Sequence, residues 1–426
     1  MTFRLTYSSF VSFIVYITPF IDVINILTGT HRAVSFGQIA RIIILGIMQG
    51  VLVKEQGSKT FYLIFLTVFL VFRDALYSIA YHVKFIGSVT YDLRYIYVLT
   101  FFALVMYAVQ TKRLTEIEIR TLSKRFALQI AILILFSRFT GAGINYANSD
   151  TTRLFTEVNA LSAILVWGLS LWLYEAFYGK EKIKNFLCSL IVLYSAFSQG
   201  TKAGTIGSVA CIALIVFYSL FMKHNLSKGI VLTIFACVAL FVIYRYYFIG
   251  ESGMQHMLRW RYWLNAQDSI MSFLLSARDR KASNAILFYK KNPWLLFPGA
   301  SFTLADYHVH LVAPESNYAA TEMDIFDLFL FYGVLLGGAV ALYLTWRAFR
   351  CVVSFLRRGK KAYDAASYLI FYILMFMGGH VLNSPLAGIA FCLSLLLTDT
   401  KSLKRGESVQ NISALPPGFM ARIVVK

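Results

Sequence analysis

Charged residues are scarce in this 426-residue chain, and acidic residues are the scarcer kind, with 21 Asp and Glu against 40 Lys and Arg. Only 14% of the residues are charged, whereas a soluble domain carries about a quarter. Hydrophobic residues make up 58%, and the mean hydropathy is +0.65. The composition excludes an ordinary soluble protein. It predicts a polytopic helical membrane protein, because runs of about 20 apolar residues can cross a bilayer.

Cysteines are few, and none lies in the one long connection of the chain, residues 249–320. All five lie in or beside predicted spans: Cys188, Cys211, Cys237, Cys351 and Cys392. No disulfide framework is therefore predicted. The first apolar stretch, about residues 8–29, also lacks a small-residue cleavage site. We predict that it spans the membrane and is not a cleaved signal peptide.

Apolar segments of spanning length recur along the chain with no evident internal repeat. We predict about twelve spans, at residues 8–29, 36–53, 60–82, 94–111, 126–142, 156–178, 185–199, 204–222, 229–248, 321–346, 363–380 and 384–398. The predicted fold is all-α. It consists of one transmembrane domain, residues 1–398, and a polar cytoplasmic tail, residues 399–426.

Lysine and arginine predict the orientation of these spans. With the N-terminus inside, most short connections that are rich in Lys and Arg, such as 112–125 and 347–361, fall in the cytoplasm, as the positive-inside rule favours. Both termini are then cytoplasmic. Residues 249–320 fall outside, in the periplasm of a Gram-negative bacterium. Within this loop, residues 260–275 and 282–289 are predicted amphipathic helices that lie in the membrane interface.

Several cations fall on the outer side, where the positive-inside rule does not explain them. They are Arg153, Lys202, Arg259, Arg261, Arg278 and Arg280. Guanidinium groups offer paired donors that suit phosphate oxygens, so we predict that this cluster binds an anionic substrate. The alternative is pairing with lipid headgroups or nearby carboxylates. Lys202 lies in a tight turn, Gln199–Thr205, before a predicted helix start that favours an anion. Here the alternative is an ordinary turn.

Three carboxylates begin the span near residue 321. Glu322, at the membrane surface beside the basic loop, is the predicted base that takes a proton from a sugar hydroxyl. Asp324 is a candidate for substrate binding or helix capping. Asp327, deeper in the span, is predicted to cap the helix or to pair with an arginine.

Buried charges and histidines give weaker signals. Arg73 lies in an apolar run and needs a buried partner, for which Asp22 is a candidate. His380, at the outer end of its span, is predicted to bind in the site or to cap a helix. His308 and His310 have no second pair of ligands nearby, so we predict no metal site.

A set of loose motifs in a fixed order extends over most of the chain. They are Thr18–Asp22, Arg153–Leu161, Gln199–Gly204, Ser276–Arg280 leading through Asn292-Pro293-Trp294 to Pro298-Gly299, and Glu322–Gly338 with Gly333 and Gly337. With the single large outer loop, this order resembles bacterial polysaccharide polymerases of the Wzy type and the related O-antigen ligases.

The resemblance implies an inverting membrane glycosyltransferase with a GT-C-like fold that uses neither a metal nor a cofactor. Such an enzyme polymerises undecaprenyl-pyrophosphate-linked repeat units into O-antigen or a related surface polysaccharide at the periplasmic face of the inner membrane. Arginines hold the pyrophosphate. Membrane lipids and, by analogy, a chain-length regulator are the implied partners; nucleic acid is not.

One position departs from the ligase pattern. The ligases typically begin the helix before Gly-x-x-Gly with His-Asn, and that His looks like the base, whereas Glu322-Met323 stands here. The difference favours a polymerase with Glu322 as base, and His308, His310 and His380 remain alternatives. An O-antigen ligase, which transfers glycan to lipid A-core, is the nearest rival function. A lipid-linked oligosaccharide flippase is a rival of another class, but no half-repeat is evident.

Overall fold

The structure, a computed structural model, is almost entirely α-helical. It describes residues 6–28, 35–145, 152–155, 157–249, 258, 260–262, 264–266, 269–276, 278–312, 321–359, 361–378 and 380–398. The helices are α1 Tyr7–Leu27, α2 Phe36–Gln56, α3 Phe61–Tyr81, α4 Phe85–Gln110, α5 Glu116–Thr140, α6 Val158–Tyr178, α7 Lys182–Ser198, α8 Lys202–Phe217, α9 Leu226–Ile249, α10 Ile270–Leu275, α11 Arg278–Lys291, α12 Phe302–Val312, α13 Asp324–Tyr332, α14 Gly338–Leu356, α15 Ala362–Gly378 and α16 Pro385–Leu397.

Short irregular elements join some of these helices. Two 3₁₀ turns cover Gly57–Thr60 and Pro293–Leu296, and two π turns cover Tyr218–Met222 and Gly333–Gly337. Strand β1, Ile144–Asn145, pairs antiparallel with β2, Thr152–Arg153. The π turn at Gly333 divides one long apolar stretch into α13 and α14.

Long apolar helices indicate that this is a membrane protein. Six described helical stretches are long and apolar enough to cross a bilayer: Tyr7–Leu27, Phe36–Tyr81, Phe85–Gln110, Val158–Tyr178, Lys202–Met222 and Asp324–Leu356. Large apolar side chains such as Phe65 and Ile79 are exposed, which suits a surface that faces lipid. Each of the twelve predicted spans overlaps a described helix. The number twelve and the orientation stay predictions.

Helix starts follow local capping chemistry. Ser35 and Gln38 form a capping box at α2, and Thr115 and Glu118 form another at α5. The hydroxyl of Thr201 caps α8. Helix α6 is apolar on all sides and mostly buried, and it packs against α5, α7, α8, α15 and α16. This central helix fixes the position of the site, which lies where α6 begins.

Part of the long connection between α9 and α13 inserts into the helical bundle. Gly299 and Gly333 meet there backbone to backbone, both with positive φ. A Cβ at Gly299 would lie 2.3 Å from the carbonyl oxygen of Phe331, and one at Gly333 would lie 2.2 Å from that of Phe297. The Ala300 N–H donates to the Leu330 carbonyl at 2.9 Å. Irregular backbone at this depth is tolerated because it is paired within the protein.

The helices of this connection differ in part from those predicted. Residues 282–289 lie within α11, which confirms the helix, whereas its place in the membrane interface stays a prediction. The prediction of one helix over residues 260–275 is wrong, because Ser269 is extended and caps a separate short helix, α10. Helix α12 was not predicted, and it packs against α3 and α4 in the bundle. Its position depends on these tertiary contacts and not on its own periodicity.

Buried Arg73 fastens the inserted segment to the bundle. Its Nη2 donates to the carboxylates of Asp92 at 2.8 Å and Asp74 at 2.9 Å. Its Nη1 donates to the carbonyls of Phe331 at 2.7 Å and Pro298 at 3.2 Å. The prediction that Asp22 partners Arg73 is therefore wrong.

Asp22 pairs instead with Arg41, where the end of α1 meets the first turns of α2. The nearer partners of Arg73 lie on α3 itself and on the adjoining α4. A helical hairpin thus neutralises its own buried charge.

Candidate functional site

A large cavity opens where α2, α4 and α6 begin, beside the connection from α15 to α16. Its volume is about 1160 Å³. This exceeds the usual range for small-ligand pockets, roughly 300–1,000 Å³. The ionisable and amide side chains on its wall include Arg94, Glu157, Glu322, His380 and Asn383. A cavity of this size with a mixed polar wall suits a sugar-like ligand better than a purely apolar one.

Glu322 bridges two cations at the edge of this cavity. Its Oε2 accepts from Nη2 of Arg278 at 2.8 Å, and its Oε1 accepts from Nζ of Lys281 at 2.7 Å. Arg278 is the first residue of α11, and Lys281 follows three positions later on the same face. Arg278 is 5% exposed. Each carboxylate oxygen is thus occupied by a different cation.

The proton affinity of Glu322 reflects these partners. Burial alone raises the pKa of Glu322, but the charges of Arg278 and Lys281 outweigh burial and hold the pKa at about 2. The carboxylate is therefore ionised at physiological pH, and a group with so low a pKa is a weak base. In this arrangement Glu322 is not ready to accept a proton.

His380 differs from Glu322 in its charge and in its hydrogen-bond partners. Burial lowers the pKa of His380 below the ordinary 6.5, against the raising influence of Glu322 and Glu157. Its ring is therefore neutral at pH 7, the form that accepts a proton. Its Nδ1 is buried and has no hydrogen-bond partner among the described residues, and the same holds for Oδ1 of Asn383. Buried polar atoms are normally paired, so these two atoms are available to a water molecule or a ligand.

The backbone is strained at both ionisable groups. Glu322 has a φ of 57° and His380 a φ of 61°, in the left-handed region that non-glycine residues seldom adopt. Such strain costs on the order of 1–3 kcal/mol per residue and tends to occur at functional sites. Two buried aspartates hold these turns in place. Asp324 accepts from the Val381 N–H at 2.8 Å, and Asp327 accepts from the Thr321 N–H at 2.7 Å.

These bonds bear on two predictions. Asp327 accepts from the N–H and the hydroxyl of Thr321, and no described arginine pairs with it, so its pairing with an arginine stays a prediction. Asp324 is buried behind the cavity wall and fixes the turn that carries His380. This geometry gives it a positioning role, and its direct contact with substrate stays a prediction.

The predicted cations do not all converge on the cavity. Nζ of Lys202 contacts the Phe273 carbonyl and lies 4.0 Å from the centre of the Phe273 ring. Nη1 of Arg278 reaches the Leu275 carbonyl at 3.4 Å. Lys202 and Arg278 therefore hold the C-terminal half of α10 from two sides, where cations are favoured.

Arg261 and Arg280 are exposed, and Arg280 lies on another face of α11 from Arg278. Arg259 and the side chains of Arg153, His308 and His310 lie outside the described residues. Among the predicted cations, Arg278 is thus the one shown to contact Glu322.

Sequence reasoning left Lys281, Arg94, Glu157 and Asn383 out of the site. Lys281 was recognisable in principle, since a cation three residues after Arg278 shares its helix face. Arg94 and Glu157 pair at 3.2 Å on the cavity wall, yet they are 63 residues apart in the chain. Only the folded chain brings them together. In the described part of the chain, no cluster of three His, Cys, Asp or Glu side chains could hold a metal ion.

An apolar groove of about 280 Å³ lies between α3, α4, α14 and α16. Its wall includes Leu66, Phe102, Val340 and Leu395. It lies near the polar cavity, since Tyr95 and Leu382 line the groove whereas Tyr91 and Asn383 line the cavity. A hydrocarbon chain suits this lining.

Comparison with known proteins identifies no relative, because no family model, curated protein or solved structure matches the chain. The family resemblance therefore rests on the order of the sequence motifs. The geometry of the site is an independent basis for assigning a function.

Proposed function

We propose that this protein is a bacterial inner-membrane glycosyltransferase that polymerises undecaprenyl-pyrophosphate-linked repeat units into a surface polysaccharide. One observation carries the proposal. Glu322, which holds the cations Arg278 and Lys281, lines the same cavity of about 1160 Å³ as His380, whose pKa is lowered by burial. An anion-binding group and a proton acceptor at a sugar-sized cavity are what glycosyl transfer from a lipid pyrophosphate requires.

The donor is bound through its pyrophosphate. Arg278 and Lys281 contact the phosphate oxygens, and the bond between the anomeric carbon and the phosphate oxygen breaks. The electron pair leaves with the lipid pyrophosphate. Cations fixed at the leaving group stabilise the charge that develops there in the transition state. The apolar groove near the cavity suits the polyprenyl chain of this substrate.

The acceptor is a sugar hydroxyl on a second lipid-linked unit, bound in the cavity. His380 takes the hydroxyl proton on its unpaired Nδ1 while the oxygen attacks the anomeric carbon from the opposite face. His380 is favoured over Glu322 as base because its ring is neutral, whereas both oxygens of Glu322 are held by cations. Arg94, Glu157 and Asn383 supply polar contacts to the glycan.

Deletion of the gene tests the function directly. We expect mutant cells to carry a single repeat unit on the lipopolysaccharide core in place of long chains, because ligation continues without polymerisation. Gel analysis of the polysaccharide measures the outcome. Complete loss of surface repeat units would contradict the polymerase and indicate the ligase or the flippase instead.

A further inference from the structure

The carboxylate of Glu322 occupies the position where the proposed donor needs its phosphate. Each oxygen contacts a different cation, at 2.7 Å and 2.8 Å. A diphosphate ester offers more oxygens and a charge of −2, so it matches two cations better than one carboxylate does. Glu322 and the arriving diphosphate therefore compete for the same two side chains.

The position of Glu322 permits such an exchange. It lines the cavity, its side chain is 23% exposed, and its backbone is strained. Arg278 is nearly buried, with a side-chain exposure of 7%, so an uncompensated charge there would be costly in the empty site. A carboxylate from the chain itself supplies that compensation until a ligand replaces it.

We propose that Glu322 is a resident anion that the donor diphosphate displaces from Arg278 and Lys281. The proposal rests on the proposed function for the identity of the ligand. Displacement leaves the Glu322 charge facing the cavity and His380. The described ionisable groups around Glu322 are Arg278 and Lys281 on α11, His380, and Asp327 on α13. Glu157 before α6 and Arg94 on α4 also act on His380. Once the two cations are neutralised by the ligand, the Glu322 charge favours protonation of His380 more strongly.

The exchange therefore couples donor binding to proton transfer. Before the donor binds, the cations screen His380 from the Glu322 charge. After the donor binds, His380 becomes a stronger base at the moment when a leaving group is in place. The alternative is that the Glu322 bridge only ties α11 to the chain before α13, in which case ligands do not move it.

The competition between Glu322 and a diphosphate for the two cations is measured with a dialkyl diphosphate diester. The charge of this ligand, −2, does not change between pH 5 and 8. Calorimetric titration of the purified protein compares wild type, Glu322→Gln and Glu181→Gln. The last is a matched control, because Glu181 forms an exposed pair with Lys184 three residues away. We expect Glu322→Gln to bind at least about fivefold more tightly, the lower end of usual coupling between competing ligands. The control should bind as wild type does.

A second readout uses the wild-type protein and does not depend on a variant. Displaced Glu322 loses its two cations, so its pKa returns to at least the ordinary 4.5. Binding at pH 5, measured in buffers of different ionisation enthalpy, should then take up about a quarter of a proton or more. Glu322→Gln should lose this uptake.

The outcomes separate the two proposals. Unchanged or weaker binding by folded Glu322→Gln, or no proton uptake by wild type on binding, overturns the displacement alone. Absence of diester binding by wild type and Glu322→Gln alike overturns diphosphate recognition, and with it the proposed function. If Glu322→Gln does not fold, the proton uptake of wild type decides the question.

Discussion

At the scale of single residues, two ionisable groups on the cavity wall differ in character. Glu322 is a carboxylate bound by two cations, whereas His380 has a buried Nδ1 with no hydrogen-bond partner among the described residues. Sequence motifs identified both positions but ranked Glu322 first as base. The correct ranking depends on the contact between Lys281 and Glu322. These residues are 41 positions apart, so the sequence does not reveal that contact. Residue types were predictable from the sequence, and their charge partners were not.

Replacement of His380 tests its role as proton acceptor. His380→Asn should lower the polymerisation rate by about 100- to 10,000-fold, the usual contribution of a general base. Asn tolerates the left-handed backbone of this position, so folding is expected to survive. His224→Asn is a matched control, because His224 is exposed and has a φ of 48°. In vitro polymerisation with purified lipid-linked units gives the rates, and wild-type activity of His380→Asn would contradict the role.

The pH profile provides a separate test of the same residue. Only the neutral ring accepts a proton, so the rate should fall as the pH drops through the pKa of His380. Burial lowers that pKa in the donor-free protein, so the acid limb of kcat/KM, which reports the free enzyme, lies below pH 6.5. Rates of wild type between pH 5 and 8, compared with the residual activity of His380→Asn, show whether the limb belongs to this ring. An identical limb in the variant would assign it to another group.

At the scale of elements, the structure depends on the contact between Gly299 and Gly333, which hydrophobic periodicity does not reveal. Apolar runs predicted the positions of the long helices because length and hydropathy are local properties. The insertion of residues 293–301 against the break after α13 was not predicted, since it requires Gly299 and Gly333 to meet. Both glycines were noted in the sequence, but their contact joins segments that are over 30 residues apart.

Substitution at this contact should destabilise the protein. Gly299→Ala places a Cβ 2.3 Å from the Phe331 carbonyl oxygen at a φ of +78°. We expect a loss of about 1–3 kcal/mol, as for other overpacked positions. Gly46→Ala on α2 is the control, because nothing lies within 4 Å of its added Cβ. Thermal unfolding in detergent compares the two, and equal unfolding temperatures would contradict the predicted strain.

At the scale of the whole molecule, the site lies at one end of a bundle of apolar helices. The helices themselves indicate a membrane protein. The side of the membrane on which the cavity opens follows only from the distribution of Lys and Arg. The positive-inside rule predicts that the cavity opens outside, on the periplasmic face. A polymerase of lipid-linked units requires that orientation.

Cysteine labelling tests the orientation. A cysteine at exposed Arg280 should react with a membrane-impermeant maleimide in spheroplasts, because α11 is predicted to lie outside. A cysteine at exposed Glu181, in the connection between α6 and α7, should react only after permeabilisation. The parent protein gives the background of its native cysteines. The reverse labelling pattern would place the cavity on the cytoplasmic side and would contradict the proposed function.

The contacts of Arg73 also bear on how the chain assembles during synthesis. Arg73 meets Asp74 and Asp92 within one hairpin, so its charge is already balanced when α3 and α4 leave the ribosome. Its two carbonyl partners, Pro298 and Phe331, are translated 225 and 258 residues later. Arg73 therefore has its carboxylate partners before the second half of the chain is synthesised, and the later segment adds two carbonyl acceptors to the same guanidinium.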